Sequence, residues 1–226
     1  MYKISIVTPT FNRGILLINL YESLKKQTFK EFEWIIVDDG SSDNTKNIVK
    51  NFIREGIINI TYTYKKNGGK HTALNKAIDI CESEMFYIVD SDDILVADAL
   101  KKIVEFDKSL TNKEKFCGVS GLRSDFNGNI LSGKMFKSSI DASSIDAIYK
   151  YKLHGDKSEV FYTNILKKYK FPEFNEEKFI TEATVWNKMA NDGYLIRWFN
   201  EVICIGEYRE DGLTNDSLNL LDRKST

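Results

Sequence analysis

The stretch FYIVDSDDIL at residues 86–95 joins an apolar run to three carboxylates that fall within four positions. The run is rich in aromatic and β-branched residues, which is typical of a buried strand. Asp90, Asp92 and Asp93 would then lie together at the carboxyl end of that strand. Like charges at such short range repel one another, so the strand end needs a positive partner.

The segments before this stretch alternate between two patterns. Short runs rich in Ile, Val, Phe and Tyr predict strands at residues 3–10, 32–40, 58–64 and 85–93. Apolar residues at spacings of three and four predict helices at residues 16–27, 43–56 and 70–83. Since parallel strands need crossover connections, this order predicts an α/β fold, with a Rossmann-like, mostly parallel central sheet flanked by helices.

The second half of the sequence is less regular. Helices are predicted at residues 97–110 and 181–193, strand-like runs with Gly and Asn turns at 116–136, and one or two strands at 194–208. We therefore expect a single domain in which a regular half, residues 1–110, is followed by an irregular half, residues 111–226.

Composition narrows the class of protein. The chain has 226 residues, 42% of them hydrophobic, and a net charge of -1, so it lacks the general basic field of a nucleic-acid-binding protein. Cys81, Cys117 and Cys204 are odd in number and lie in apolar surroundings, which indicates reduced core thiols. No apolar stretch approaches the ~20 residues of a membrane span, and the amino terminus has no signal-peptide layout. We therefore expect a cytoplasmic protein, with a peripheral contact at the inner face of the membrane left open.

Three polar clusters follow predicted strands, at residues 8–13, 38–45 and 90–93. Ligands of parallel sheets bind beyond the carboxyl ends of the strands, so we expect these clusters to meet in one crevice. Asp90 and Asp92, two apart on an extended chain, would point to the same side and share one ligand. A divalent cation, Mg²⁺ or Mn²⁺, would offset their repulsion. Asp93 has an alternative role as the cap of a following helix.

The other polar segments have both a binding and a structural interpretation. Asp38 or Asp39 could accept hydrogen bonds from the ribose or base of a nucleotide, or belong to an ordinary polar turn. Gly68 and Gly69 could let backbone amides approach an anion beside Lys70, although the sequence matches neither common phosphate-loop pattern. We interpret Asp43 as a helix cap and His71 as a local hydrogen-bonding residue.

Four segments together resemble the family 2 glycosyltransferases with the GT-A fold, and they occur in that family's order. They are SIVTPTFNR at 5–13, IIVDDGSSDNT at 35–45, NGGKHTALNKAI at 67–78 and FYIVDSDD at 86–93. The resemblance implies that the nucleoside is surrounded by Pro9, Phe11 and Arg13 with Asp38 or Asp39, and that Asn67 and Lys70 lie close to it.

The resemblance also implies roles for the acidic residues. Asp90-Ser91-Asp92 matches the family's DXD motif, so Asp92 would bind the metal while Asp90 faces the ribose or a metal-bound water. An acidic residue before a late helix is the family's catalytic base, and Glu182 has that position here, with Glu176 and Glu177 as alternatives. Thr181-Glu182-Ala183 replaces the family's common Glu-Asp pair. A structural alternative for Glu182 is favourable interaction with the helix dipole.

The implied function is metal-dependent, inverting transfer of a sugar from a nucleotide-sugar, with UDP favoured, to a glycan or lipid-linked acceptor in surface polysaccharide synthesis. Residues 1–110 would bind the donor, and residues 111–226 would bind the acceptor and supply the base. A catalytically silent binding module and a nucleotidyltransferase of similar fold are the rival interpretations. Lys157 is either an aid to the diphosphate or an exposed loop lysine. Trp186 either stacks on a sugar or lies in the core.

The last resemblance concerns residues 206–215, GEYREDGLTN. This segment is similar to a tail segment of bacterial surface-polysaccharide transferases. The resemblance implies that the tail closes over the site.

Overall fold

The computed structural model describes residues 2–131, 133, 137–174 and 177–207. The strands are β1 Ile4–Thr10, β2 Phe32–Asp38, β3 Ile60–Tyr64, β4 Met85–Ile88, β5 Ile94–Leu95, β6 Phe116–Ser124, β7 Ser139–Ala142, β8 Lys157–Tyr162 and β9 Leu195–Ile205. The α-helices are α1 Leu17–Lys25, α2 Thr45–Glu55, α3 Lys70–Ile80, α4 Ala99–Lys108, α5 Ser144–Tyr149, α6 Thr163–Leu166 and α7 Ala183–Asn191.

One sheet runs through both halves of the sequence, in the order β3-β2-β1-β4-β8-β6-β9-β5, with β7 paired to β9. Strands β1 to β4 are parallel to one another, and β6 and β9 form a further parallel pair. The remaining pairs, which involve β5, β7 and β8, are antiparallel. The predicted α/β class with a mostly parallel central sheet is confirmed.

The first strands are continuous apolar runs because helices cover both faces of the sheet. Every residue of β1 is buried. On one face, the Tyr21 ring of α1 stacks on the Phe52 ring of α2 at 4.1 Å between centroids, and Phe52 lies 6.0 Å from the Trp34 ring of β2. This aromatic cluster fixes α1 and α2 against the sheet, so the loops before them are held at its carboxyl edge.

Strand β8 carries the second half of the chain to the same edge. It runs antiparallel to β4, and Tyr87 is paired with Val160. The beginning of β8 therefore lies beside the end of β4, where the acidic segment starts. The crevice at this edge receives residues from both halves of the sequence.

The segment after the acidic cluster differs from its prediction as a helical turn. Ile94 and Leu95 form strand β5, which pairs with Ile205 and Cys204 of β9, and helix α4 begins only at Ala99. A long-range strand pairing has overridden the local helical pattern. Residues 195–205 form the single strand β9, one of the two outcomes that the sequence predicts.

Two compositional predictions can be compared with the described residues. Cys81, Cys117 and Cys204 are free and buried, as expected for core thiols. The longest described helices have 11 residues, and none combines the length and apolarity that crossing a bilayer requires. Residues 208–215 of the predicted tail segment lie outside the described residues.

Candidate functional site

The turn after β4 carries three carboxylates, and each has its own basic partner. The pairs are Lys70 Nζ to Asp90 Oδ1 at 2.7 Å, Arg13 Nη1 to Asp92 Oδ2 at 3.1 Å, and Arg123 Nη2 to Asp93 Oδ1 at 2.6 Å. These cations come from the start of α3, the loop after β1, and β6. Side chains of the protein therefore supply positive partners for all three carboxylates, in addition to the divalent cation that the sequence predicts.

The geometry of the segment also differs from the extended one that the sequence suggests. Strand β4 ends at Ile88, and the Asp93 N–H donates to the Asp90 carbonyl at 3.1 Å, which closes a turn. Asp90 and Asp92 consequently pair with different cations. The predicted capping role of Asp93 is wrong, because its carboxylate is buried against Arg123 and the next two residues form strand β5 rather than a helix. Burial raises the pKa of Asp93 to about 7, although Arg123 opposes that shift.

Lys70 connects the acidic turn to helix α7. Its Nζ lies 2.7 Å from Asp90 Oδ1 and 2.8 Å from Glu182 Oε1. Burial acts to lower the pKa of Lys70, but the charges of both carboxylates outweigh it and raise this pKa. Burial likewise acts to raise the pKa of Asp90, and Lys70 holds it below its usual value. One ammonium group thus joins the end of β4 to the predicted catalytic base.

Asp39 anchors the glycine-containing loop before α3. Its carboxylate accepts from Lys65 Nζ at 2.6 Å, Asn67 Nδ2 at 3.2 Å, Gly68 N at 3.0 Å and Gly69 N at 2.7 Å. The carboxylate is buried, and four donors satisfy it. The expectation that the two glycine amides approach an anionic ligand is therefore wrong, because Asp39 already accepts from both.

The remaining residues that the resemblance assigns to the nucleoside lie around the same edge. Asp38 is 1% exposed and accepts from Tyr62 Oη at 2.6 Å and from Ser41 N at 2.7 Å. Pro9 is buried within β1 and Ser91 is buried in the turn, whereas Phe11 is 46% exposed. The contacts of these residues with a nucleoside remain predictions.

Asn12 and Asp43 connect the first two polar clusters. The Asn12 side-chain oxygen accepts from Ser42 N at 2.8 Å, and the backbone N–H of Asn12 donates to Ser41 Oγ at 2.8 Å. Asp43 accepts from Thr45 N at 3.0 Å and from Gly14 N at 3.2 Å. Asp43 therefore has the structural role that the sequence predicts, although the N-cap position of α2 belongs to the next residue, Asn44. Together with the pairs above, these contacts bring the three predicted clusters to one crevice.

The backbone conformation at Gly69 allows α3 to begin where Lys70 can reach the crevice. Gly69 has φ +95°, and a Cβ there would overlap the carbonyl oxygen of Lys178. We expect Gly69→Ala to lower the free energy of unfolding by about 1–3 kcal/mol more than Gly56→Ala, as measured by urea denaturation. Gly56 is the matched control because it has φ +66° but open space around it. Equal losses in the two variants would contradict this account.

Helix α7 begins directly after Glu182, as the sequence predicts. Trp186, one turn later, is buried and packs on Phe161 of β8 at 4.1 Å between ring centroids, so its core interpretation is confirmed. Glu177 is exposed and accepts from Phe179 N at 2.9 Å. Glu176 lies outside the described residues. Of the described candidates for the base, Glu182 is the one joined to the acidic turn.

Two side chains differ from their sequence interpretations. His71 is buried, and neither ring nitrogen has a hydrogen-bond partner among the described residues, so a local hydrogen-bonding role is wrong. Burial lowers the pKa of His71 and favours the neutral ring. Lys157 lies buried in β8 and donates to the His154 carbonyl at 2.8 Å, which excludes an exposed loop lysine. Burial lowers the pKa of Lys157 to about 8.

Sequence reasoning missed three charged residues around the crevice: Lys65, Arg123 and Glu159. Glu159 follows Lys157 by two positions in β8 and precedes Phe161 by two, so all three share one face. Burial raises the pKa of Glu159 to about 7, and the nearby charge of Glu182 adds to this rise. Residues 157–162, KSEVFY, show no alternation of polar and apolar side chains, so the sequence carries no local signal that places Glu159 toward the site.

Comparison with known proteins identifies the family of this chain. Residues 5–155 match the family described as Glycosyl transferase family 2, which is more than half of the chain. The chain therefore belongs to this family, as the sequence motifs predict.

Two curated relatives are bacterial glycosyltransferases. A GalNAc(5)-diNAcBac-PP-undecaprenol beta-1,3-glucosyltransferase of Campylobacter jejuni is 32% identical over 82% of this chain and 59% of its own length. The poly(ribitol-phosphate) beta-N-acetylglucosaminyltransferase TarP of Staphylococcus aureus is 32% identical over 54% of this chain and 38% of its own. The chain thus spans about 60% or less of these relatives' lengths.

A solved structure confirms the fold. The crystal structure of S. aureus TarS 1-349 in complex with UDP-GlcNAc has a TM-score of 0.74 and 27% identity, and the match covers 94% of this chain and 60% of that one. The architecture is therefore that of the GT-A glycosyltransferases.

Proposed function

We propose that the chain is the catalytic part of a metal-dependent, inverting glycosyltransferase. It would move a sugar from a UDP-sugar to a hydroxyl group of a glycan or lipid-linked acceptor, in the synthesis of a surface polysaccharide. The observation that carries this proposal is the Lys70 bridge, which brings Asp90 of the DXD segment and Glu182 into one crevice. Both carboxylates contact the same ammonium group, so a donor-side carboxylate and a candidate base lie close enough to act on one bound pair of donor and acceptor.

The donor assignment is supported by family membership and by the TarS complex with UDP-GlcNAc. In the proposal, Phe11, Arg13 and Asn67 contact the nucleoside or its ribose, and residues 1–110 form the donor half. The buried carboxylates of Asp38 and Asp39 hold the loops that present these residues. Asp38 and Asp39 would act mainly through that support.

The carboxylate oxygens at the acidic turn suit a hard cation that also binds the substrate. No three His, Cys, Asp or Glu residues within the described ranges lie close enough to hold a metal by themselves. Asp92 and Asp90 supply carboxylate oxygens, and Mg²⁺ or Mn²⁺ takes one or two of these together with water and substrate phosphates. Asp92 would bind the cation, with Asp90 beside it. When bound, the cation neutralises charge on the departing diphosphate.

Glu182 is proposed as the general base. Its carboxylate takes the proton of the acceptor hydroxyl while that oxygen attacks the anomeric carbon from the side opposite the diphosphate. The bond from that carbon to the diphosphate oxygen breaks, the electron pair leaves with UDP, and the configuration inverts. Lys70, 2.8 Å from Glu182, orients the base before the acceptor arrives. Glu182 is 27% exposed, so an acceptor can reach it.

The acceptor side is assigned to residues 111–226. The name of the C. jejuni relative refers to an undecaprenol-linked glycan, and the names of the staphylococcal relatives refer to poly(ribitol-phosphate). By analogy, we assign this chain a lipid-linked or polymeric glycan acceptor, which would bring it to the cytoplasmic face of the membrane as a peripheral protein.

Donor turnover without an acceptor tests the proposal. We expect purified protein with Mn²⁺ to release UDP slowly from UDP-GlcNAc or UDP-Glc, with water taking the place of the acceptor, and to leave GDP-mannose intact. A coupled UDP assay would measure the release, with heat-inactivated protein as the control. Tight UDP binding without any release from either donor, with a panel of glycan acceptors included, would instead identify a silent binding module. Release of pyrophosphate from UTP in the presence of a sugar 1-phosphate, in a parallel assay, would identify a nucleotidyltransferase.

A further inference from the structure

We infer that Arg13 and Lys70 compete with the metal ion for Asp92 and Asp90, and that the diphosphate of the donor releases them. This inference rests on the proposed function and deepens it. Arg13 and Lys70 are then positioning residues whose ion-pair partners change when the donor binds. Because the donor releases the carboxylates for the metal, the metal and the nucleotide bind together.

The contacts that carry this inference are direct ion pairs. Arg13 Nη1 lies 3.1 Å from Asp92 Oδ2, and Lys70 Nζ lies 2.7 Å and 3.0 Å from the two oxygens of Asp90. A metal ion that takes these carboxylate oxygens must displace or share them with the cations. Because Lys70 also contacts Glu182 at 2.8 Å, its movement would separate an ammonium from two carboxylates at once.

The charges of the cluster favour simultaneous binding. Asp90, Asp92 and Glu182 supply three negative charges, and Arg13 and Lys70 supply two positive ones, so the net charge of the cluster is -1. A divalent cation alone would reverse this sign and repel both side-chain cations. The diphosphate adds two negative charges and restores the original balance. Since each cation lies within 3.1 Å of its carboxylate partner, these interactions are large compared with those of exposed surface charges.

The glycine loop offers the diphosphate no alternative attraction. The Gly68 and Gly69 amides donate to Asp39 and are not directed at a ligand. Attraction for the phosphate oxygens must then come from the metal and from side-chain cations. Arg13 and Lys70 have long, partly exposed side chains that already lie at the metal-binding carboxylates, so they can turn from the carboxylates to the phosphates.

Direct measurement of Mn²⁺ binding tests this inference. The titration of free Mn²⁺ is followed by electron paramagnetic resonance, with and without UDP, on the wild type, Arg13→Gln and Lys70→Met. The matched controls are Arg54→Gln and Lys66→Met, which remove the same charges from exposed side chains. A further variant, Lys70→Arg, keeps the positive charge of the side chain at this position. Thermal melting identifies any variant that fails to fold, and Arg13→Gln and Lys70→Met each test the inference independently.

For the wild type we expect Mn²⁺ alone to bind at least about tenfold more weakly than Mn²⁺ with UDP. Arg13→Gln and Lys70→Met should tighten the binding of Mn²⁺ alone by about tenfold and reduce the gain from UDP. The controls should match the wild type, and Lys70→Arg, which keeps the positive charge, should bind Mn²⁺ alone more weakly than Lys70→Met. Unchanged or weaker binding of Mn²⁺ alone in both test variants, with normal UDP coupling in the wild type, would overturn the inference. Absence of UDP coupling in the wild type would instead contradict the proposed metal-dependent function.

Discussion

Asp92→Asn is expected to reduce UDP release from UDP-sugars by about 10²- to 10³-fold and to remove its dependence on Mn²⁺. The amide is a poorer ligand for a hard cation than the carboxylate, and loss of the cation removes several kcal/mol of stabilisation from the departing diphosphate. The fold should persist, because Asp92 is partly exposed in a turn at the crevice edge. Turnover at a series of Mn²⁺ concentrations measures both effects.

Asp98→Asn is the control for this prediction. Asp98 lies just before α4, is about half exposed and pairs with Lys102 on the surface, so the same chemical change there should alter turnover less than about twofold. If Asp92→Asn retained wild-type turnover and the wild-type response to Mn²⁺, the assignment of Asp92 would be wrong.

Glu182→Gln is expected to lower turnover by about 10²- to 10⁴-fold while the affinity for UDP stays within about threefold of the wild type. The glutamine has the same shape and can still accept a hydrogen bond from Lys70, but it cannot take a proton. Donor binding would be measured by calorimetry, and turnover by UDP release. This separation of binding from chemistry distinguishes a base from a residue that only supports the fold.

Glu177→Gln tests the rival base. Glu177 is exposed and accepts from a neighbouring backbone amide, so its replacement should leave turnover nearly unchanged. The opposite result, in which Glu177→Gln loses activity and Glu182→Gln keeps it, would move the base to the preceding loop.

The sequence predicts the donor half of the fold well because its signals are local. Strands β1 to β4 are apolar runs followed by polar turns, and helices α1 to α3 have clear amphipathic patterns. Because these signals are local, they also predict that the acidic cluster lies at the end of a strand. Strand β5 was missed because its two residues become a strand only by pairing with β9, more than a hundred positions later.

The partners of the acidic residues could not be predicted in the same way. Arg123 reaches Asp93 from β6, and Glu182 reaches Lys70 from the far end of the chain, so no spacing in the sequence indicates either contact. Asp39 looked like a nucleotide ligand because it follows a strand, yet its four donors come from another loop. Long-range ion pairs of this kind follow from topology, which only the folded chain shows.

The most direct measurement is the position of manganese in crystals grown with Mn²⁺ and UDP, located by its anomalous scattering. We predict one strong peak within coordination distance of the Asp92 carboxylate and of the diphosphate oxygens, with Arg13 turned away from Asp92. A bound UDP with no manganese at Asp92, or manganese held elsewhere on the chain, would contradict the account.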